Sequence, residues 1–426
     1  MAQSPLFWPL SLALFYLLVT SLIFIRNRFE LTSLESSLPV KNRELKISVC
    51  IPARNEENSI PQLLRSLFEQ EDDNYNIHVL NDQSEDNTGS ILLSFKNDEP
   101  EKIIIHEGEE KPKGWLGKPW ACEQLGKAAD GDILLFLDAD TELLPGTLSR
   151  VRNSFAAYNL DMLTVWPGQV LGTFWEKTVI PLVYYTLTTL LPSVYVYRKP
   201  KWMPRFLYKT MAANFAAANG QCIAFTRAAY QLIGGHKSVR KKVVEDVELA
   251  KLAKGKGLTL RMFNGVDSVK CRMYRSQKEM FQGFRKNFLA GFANSLPLFI
   301  AAALLHLIVF ILPFFSLIWS LIVQDPVLFF LSIACIVIIL IQRLILASWF
   351  KWDPLYSFTH PLAVCWFQWL GLVKIWDYIT GRKTVWKGRN VWTIVVGASL
   401  HLPCEVLFFT QSGLNQTEPC NAHIHV

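Results

Sequence analysis

Apolar residues fill long runs toward both ends of the chain. In the middle they come in short runs separated by polar segments. Leu6 to Ile25 is apolar over the roughly 20 residues a helix needs to cross a bilayer, and Arg26 and Arg28 follow at once. A cleaved signal peptide has its positive charge before the apolar part and small residues after it. This segment has neither, so residues 1–28 are expected to be an uncleaved anchor whose C-terminal end faces the cytosol. Leu296 to Val323, interrupted by Pro313, and Val327 to Leu346 flank Gln324-Asp325-Pro326. They predict a transmembrane hairpin over 296–349 with its turn outside. Pro361 to Ile379 is also long enough to cross, but it carries Lys374 and is followed by Arg382, Lys383, Lys387 and Arg389. Either it lies in the interface or re-enters, or the charge rule fails there. Val391 to Thr410 is weakly apolar and could be a further span, and 355–426 is read as a membrane-associated segment and tail.

Between these ends, residues 46–294 predict a cytosolic α/β domain. Lys46–Ala53, Asn76–Asp82, Lys102–Glu107 and Asp132–Asp140 are apolar, β-rich runs, and Ser59–Gln70 and Pro119–Ala129 have helical character. Strand and helix in alternation predict a parallel sheet, with ligands beyond the strand C-termini. Val179 to Lys209 is apolar and aromatic, then basic at Arg198, Lys199, Lys201, Arg205 and Lys209. Prolines break it as a spanning helix. It is read as a membrane-surface segment, with aromatics in the interface and cations at the headgroups. The other reading is a partly buried helix pair.

Composition sharpens this picture only where it is uneven. Hydrophobic residues make up 51% of the 426 and aromatics 13%, with the excess at the ends. A net charge of +7 is compatible with nucleic acid, an anionic membrane or a phosphorylated substrate. The basic residues form no long stripe and many flank apolar segments, which argues for the membrane and against nucleic acid. The eight cysteines have no CxxC spacing, against a zinc site or a disulfide framework.

Four polar clusters fall where elements stop: "IPARNEEN" (Ile51–Asn58), "LNDQSEDNTG" (Leu80–Gly89), Asp138-Ala139-Asp140, and "VVEDVELAKLAKGKG" (Val243–Gly257). Singly each is ordinary. Asp82, Ser84 and Asp86 make turns and caps, and Glu245 and Asp246 oppose a helix dipole. That account leaves their order in one sheet unexplained. Residues two apart on a strand point the same way, so Asp138 and Asp140 are expected to offer both carboxylates to one side. Such hard ligands suit Mg²⁺ or Mn²⁺ shared with substrate phosphates. The ion would neutralise charge growing on a diphosphate leaving group. Asp246 or Glu245 would take a proton from an attacking hydroxyl.

The succession "PARNEE", "NDQSEDNT", "GWLGKPWA", "FLDADTEL", "ANGQCIAFTRAAYQLIGG", "VVEDVELA" resembles a membrane-associated family 2 glycosyltransferase, over about Lys46 to Asn287. "KGWLGKPWAC" (Lys113–Cys122) resembles the subgroup that glycosylates apolar lipids such as carotenoids, alongside hopanoid-associated relatives. The resemblance implies a GT-A fold, an α/β Rossmann-like mixed sheet, with flanking transmembrane helices. It implies that Pro52, Ala53 and Glu56 line the nucleotide pocket, that Asp82 contacts the base, and that Asp138 and Asp140 form the metal-binding D-x-D. Lys118 would sit near the donor phosphates, or else be a solvated helix-start lysine. Asn219, Gly220 and Gln221 would face donor sugar or acceptor. Asp246 would be the base, with Val244 standing where the family signature has threonine.

Processive polysaccharide synthases carry Gln-x-x-Arg-Trp after the base, and this chain lacks it. Arg272, Tyr274 and Arg275 either close over the diphosphate or begin a basic helix at the membrane. The implied enzyme is an inverting, non-processive hexosyltransferase. It would use Mg²⁺ or Mn²⁺ and a UDP-sugar, with a carotenoid acceptor, or else a hopanoid or glycerolipid, at the cytosolic face of the cell membrane. Two other classes fit less well. A non-catalytic scaffold on this fold would not need Asp82, Asp138, Asp140 and Asp246 together, and a transporter would need more spans.

Overall fold

A computed structural model describes residues 4–35, 45–288, 292, 295–382, 384–386 and 389–391. The weakly apolar stretch after Val391, the tail, Lys383 and Lys387 lie outside the described residues.

In chain order the elements are α1 (Phe7–Glu30), β1 (Ile47–Ala53), α2 (Ile60–Phe68), β2 (Tyr75–Asn81), α3 (Thr88–Asp98), β3 (Ile103–Glu107), α4 (Gly117–Ala128), β4 (Ile133–Leu137), β5 (Thr141–Leu143), α5 (Thr147–Tyr158) and β6 (Met162–Gln169). There follow α6 (Phe174–Leu190), α7 (Val194–Tyr197), α8 (Arg205–Phe215), β7 (Cys222–Thr226), α9 (Arg227–Leu232), α10 (Glu245–Gly255), β8 (Leu260–Cys271), α11 (Gln277–Asn287), α12 (Leu296–Phe310), α13 (Leu312–Val323), α14 (Pro326–Trp349), α15 (His360–Thr380), β9 (Thr384–Trp386) and β10 (Arg389–Val391). The first eight strands form one sheet, ordered β3-β2-β1-β4-β7-β6-β8-β5.

β3, β2, β1 and β4 run parallel, as the alternation of strands and helices predicts. β7 then pairs antiparallel with both β4 and β6. The sheet is therefore the mixed α/β sheet the resemblance implied rather than a wholly parallel one. β1 and β4 are buried almost without alternation, as strands covered on both faces are. Chain order reverses around β1, and a ligand crevice opens at such a point beyond the strand ends.

One local expectation fails. β4 stops at Leu137, and Asp138-Ala139-Asp140 is a turn, not strand. The Asp138 amide donates to the Gln221 carbonyl at 3.2 Å. Thr141 then bonds the Asp138 carbonyl through its amide (3.1 Å) and its hydroxyl (2.7 Å), which folds the chain back into β5. The two carboxylates are positioned by this turn and not by the period of a strand.

Among the described residues, α1 and α14 are long and apolar enough to cross a membrane, with mean hydropathy 2.1 and 2.6. α12 and α13 qualify together as a pair bent by 43°. The predicted single stretch 296–323 is thus two helices. Pro313 lacks the N–H and its ring crowds the preceding turn, so the helix cannot run straight through. Asp325 caps α14 through the amides of Val327 (2.9 Å) and Leu328 (3.2 Å), which makes the hairpin turn. α15 does not meet the same test.

The segment 179–209 divides. Its aromatic half is core: Val179, Ile180, Tyr184 and Tyr185 of α6 are buried, so they do not lie at a membrane surface as expected. The reason is packing, because α6 lies against α1, α14 and α15. In the basic half, Trp202 and Phe206 are 73% and 78% exposed among Lys199, Lys201, Arg205 and Lys209. The sheet's apolar face and the apolar helices share one core, which runs from Leu17 and Phe24 to Trp349, Phe225 and Met262.

Candidate active site

β1 and β2 end in two loops that bond to each other. The amides of Asn55, Glu56 and Glu57 donate to Ser84 Oγ (3.1 Å), Thr88 Oγ1 (2.8 Å) and Asp86 Oδ2 (3.1 Å). In return, the amides of Glu85 and Asn87 donate to Asn55 Oδ1 (2.8 Å) and Glu57 Oε2 (3.1 Å). Asn55 and Gln83 stand at φ 53° and 56°, left-handed conformations that this zipper holds. Buried Asp82 joins the loops through its amide to the Ala53 carbonyl (2.8 Å), and its own carbonyl accepts from Arg54 (2.7 Å). Arg54 was not singled out in the sequence, yet its guanidinium bridges both loops. The signal was its place inside "PARNEE".

Pro52, Lys118, Asp138, Gly220, Glu245 and Asp246 line one cleft, where β1, β4, α4 and α10 meet. Lys118 Nζ lies 2.6 Å from Asp138 Oδ1 and 3.2 Å from Glu245 Oε1. It is therefore no solvated helix-start lysine. Burial would strip its proton, but Asp138 and Glu245 outweigh that and hold it well above its ordinary range.

The two adjacent acids at the start of α10 separate chemically. Burial works to raise Glu245, but the Lys118 ammonium and the helix backbone hold it below the usual range. Asp246 is pushed up to about 6 by burial and by Glu245 beside it. Its carboxylate accepts from the amides of Gly220 (2.7 Å) and Val247 (2.8 Å), which fix its direction. A Cβ on Gly220 would stand 3.1 Å from Lys118 Nζ and 3.2 Å from Asp246 Oδ2, so only glycine fits here without a shift. Of the two acids, Asp246 is oriented by backbone amides and Glu245 is paired with Lys118.

Asp140 is pushed up to about 7, by burial first and then by Asp138 and Glu56. Its Oδ1 is buried without a hydrogen-bond partner. Crowded anionic oxygens with an unpartnered atom among them are the donor set a hard divalent cation would neutralise. Among the described residues no group of three His, Cys, Asp or Glu is placed to hold a metal. Two carboxylates completed by substrate phosphates remain the fit.

Gln221 and Asn219 form a small polar unit, with the Gln221 amide on Asn219 Oδ1 (3.0 Å) and Asn219 Nδ2 on Gln221 Oε1 (3.3 Å). Gln169, missed in the sequence, donates to that same Gln221 oxygen at 2.8 Å. Nothing local marks it, since β6 and β7 meet only in the fold. The three gate candidates lie apart in their bonding. Arg272 pairs with buried Glu176 at 3.7 Å, Tyr274 is buried against Phe284, and Arg275 reaches the Asn58 carbonyl at 3.3 Å. His236 also lines the cleft. Burial pushes it down to about 3, so it is neutral, and it bonds the Tyr230 hydroxyl at 2.8 Å.

Residues 48–228 match the glycosyl transferase family 2 model. That stretch, from β1 to α9, is similar to the family 2 glycosyl transferases. It is similar to the 4,4'-diaponeurosporenoate glycosyltransferase of Staphylococcus haemolyticus, 27% identical over 59% of this chain and 63% of that one. The chain thus spans just under two thirds of that relative. The enzyme of the same name from Staphylococcus aureus is 25% identical over 81% of this chain and 88% of its own. Among solved structures, a mannosyltransferase from Pyrobaculum calidifontis in complex with GDP-Man and Mn²⁺ matches at a TM-score of 0.47. That match has 16% identity and covers 87% of this chain and 99% of that one.

Proposed function

We propose that this glycosyltransferase moves a hexosyl group from a nucleotide-diphosphate sugar, UDP-linked, to a hydroxyl or carboxyl on a membrane lipid. The reaction runs at the cytosolic face with inversion. The observation that carries this reading is the Asp246 carboxylate. Two backbone amides aim it into a cleft that also holds Lys118 and Asp138.

Asp246 would take the proton of the attacking hydroxyl as its oxygen bonds the anomeric carbon and the bond to the diphosphate breaks. Lys118 is held protonated and would meet the departing diphosphate. Asp138 and Asp140 would hold Mg²⁺ or Mn²⁺, which supplies charge neutralisation at the phosphates when bound. The zipped loops after β1 and β2, with Pro52, Ala53, Glu56 and Asp82, would receive the nucleoside. Asn219, Gly220 and Gln221 would receive the transferred sugar or the acceptor. Arg275, bonded to the Asn58 carbonyl after β1, and Arg272, whose amide donates to the Asp140 carbonyl at 3.3 Å, would close over the diphosphate together with Tyr274. The relatives are named for a carotenoid acid, and a carotenoid is the acceptor class this reading prefers. A hopanoid or glycerolipid is second. The apolar helices would hold the cleft at the bilayer, where such an acceptor dissolves.

The test uses membranes containing the protein, Mg²⁺ or Mn²⁺, and a panel of labelled nucleotide sugars. Label is expected in organic-extractable lipid, with loss in Asp140→Ala and on chelation. Absence of label with every donor and added carotenoid and hopanoid extracts, together with no metal-dependent nucleotide binding, would leave a non-catalytic scaffold.

A further inference from the structure

A second cavity, of about 330 Å³, shares no lining residue with the cleft. It is enclosed by the end of β6, α6, the last turns of α14, and the short 3-10 helix Pro354–Thr359. Leu171, Pro181, Leu346 and Ala347 give it apolar walls. Three of its other lining residues are polar, buried and incompletely bonded. Arg343 is 3% exposed, and its Nη2 donates to the Tyr356 carbonyl at 3.3 Å, but Nε and Nη1 have no partner. Ser357 Oγ and Gln169 Oε1 are likewise buried and unpartnered.

A guanidinium withdrawn from water is costly unless an anion and hydrogen bonds compensate it. Among the described residues no acid pairs with Arg343. Asp353, the carboxylate that lines this cavity, accepts from the Leu355 amide at 3.0 Å. Of the other cations, Lys351 is paired with Asp267 at 2.5 Å, and Lys177 lies over the Tyr356 ring at 5.1 Å. The cavity therefore has a surplus of positive charge, and unused donors at Arg343 and Ser357, while Gln169 Oε1 is an unused acceptor. A guanidinium with Nε and Nη1 unbonded offers charged N–H groups to a carboxylate or a phosphate.

The surroundings say how such an anion arrives. Phe174, which packs on Tyr356 at 5.9 Å, is 45% exposed, and Leu355 and Phe358 are 70% and 60% exposed. α14, which carries Arg343, is one of the helices apolar enough to cross a membrane. We propose that this cavity binds the anionic end of a membrane amphiphile, its carboxylate or phosphate on Arg343 and its chain along the apolar wall. The occupant would also touch Gln169, the residue that holds Gln221 beside the cleft. The assignment is separate from whatever the transferase site modifies.

The full chain in phosphatidylcholine nanodiscs would be labelled with a photoreactive long-chain fatty acid, and the crosslinks mapped by mass spectrometry. Crosslinks are expected on Pro354–Thr359 or α6. Labelling should fall at least fivefold with the methyl ester of the same probe and in Arg343→Gln, and persist in Arg343→Lys. Unlabelled phosphatidic acid should compete. Equal labelling by acid and ester in the parent protein would overturn the proposal, and that comparison needs no variant to fold. Competition by acetate or inorganic phosphate as effective as by the fatty acid would show a site for free anions and overturn the lipid assignment.

Discussion

At the scale of single residues, the site turns on how three neighbours divide their protons. Asp246 is raised to about 6 while Glu245 is held low by Lys118. A base must be deprotonated to act, so transfer to a hydroxyl should rise with pH through about 6 and level off above it. Initial rates between pH 5 and 8 check this. Asp246→Asn should cost about 10²–10⁴ in turnover with such an acceptor, the usual range for general-base loss, with donor binding retained. A carboxylate acceptor has no proton to give, so a much smaller loss would identify that acceptor chemistry. Lys118→Met leaves Glu245 buried without its cation. It should lower stability by about 1–3 kcal/mol, the cost of an orphaned buried polar group, discounted toward the low end because Lys118 is partly exposed. Thermal unfolding would measure it. "VVEDVE" announced two carboxylates, but not that one would be neutralised by a lysine about 130 residues earlier.

At the scale of elements, two loops hold one end of the sheet and an ion pair the other. Asp86 accepts from Glu57 across the loops and from Thr88 within its own. Asp86→Ala should loosen both loops and raise the KM for donor about tenfold with kcat little changed, equivalent to ~1.4 kcal/mol. Steady-state kinetics in donor concentration would show the split. On the far side, Arg152 of α5 forms a bidentate pair with buried Asp72 before β2. Burial opposes ionisation of Asp72, but Arg152, Asn74 and Ser149 win and lower its pKa. Its stabilisation is therefore present above the carboxylate's unfolded pKa and lost as pH falls through the lower folded value. Asp72→Ala, which strands the guanidinium, should cost about 3–5 kcal/mol, seen in denaturant unfolding at pH 7 and diminished in acid.

At the scale of the whole molecule, the N-terminal helix is part of the fold as well as a candidate anchor. Asn27 of α1 donates to the carbonyls of Thr188 (2.8 Å) and Leu191 (2.7 Å) and accepts from Ser193 (amide 3.0 Å, hydroxyl 2.6 Å). Past the helix, the Asn264 amide of β8 donates to the Thr32 carbonyl at 2.9 Å. Asn27→Leu should leave these groups unpaired and destabilise the protein by about 1–3 kcal/mol. A chain begun at residue 45 should unfold at a lower temperature than the full chain in the same detergent, because the core shared by α1, α6 and α14 loses one wall. Equal melting temperatures would mean that the sheet folds independently of its anchor.

Much of this was legible in the sequence, and the part that was not has a common cause. Length of apolar run, strand and helix period, and the polar clusters at element ends are local properties. They sufficed for an N-terminal helix apolar enough to cross a membrane, the turn at Asp325 and the first four strands. What only the tertiary structure decided depends on partners distant along the chain. β7 inserts antiparallel beside β4 and places Gln221 against Asp138, which turns the D-x-D off the strand. α6 is buried because three other helices cover its aromatics, although its composition alone suits a membrane surface equally well. Arg343 reads as an interruption near the end of an apolar helix. Only folding removes it from water beside Ser357 and Gln169, because burial is set by what packs around a residue and not by the residue itself.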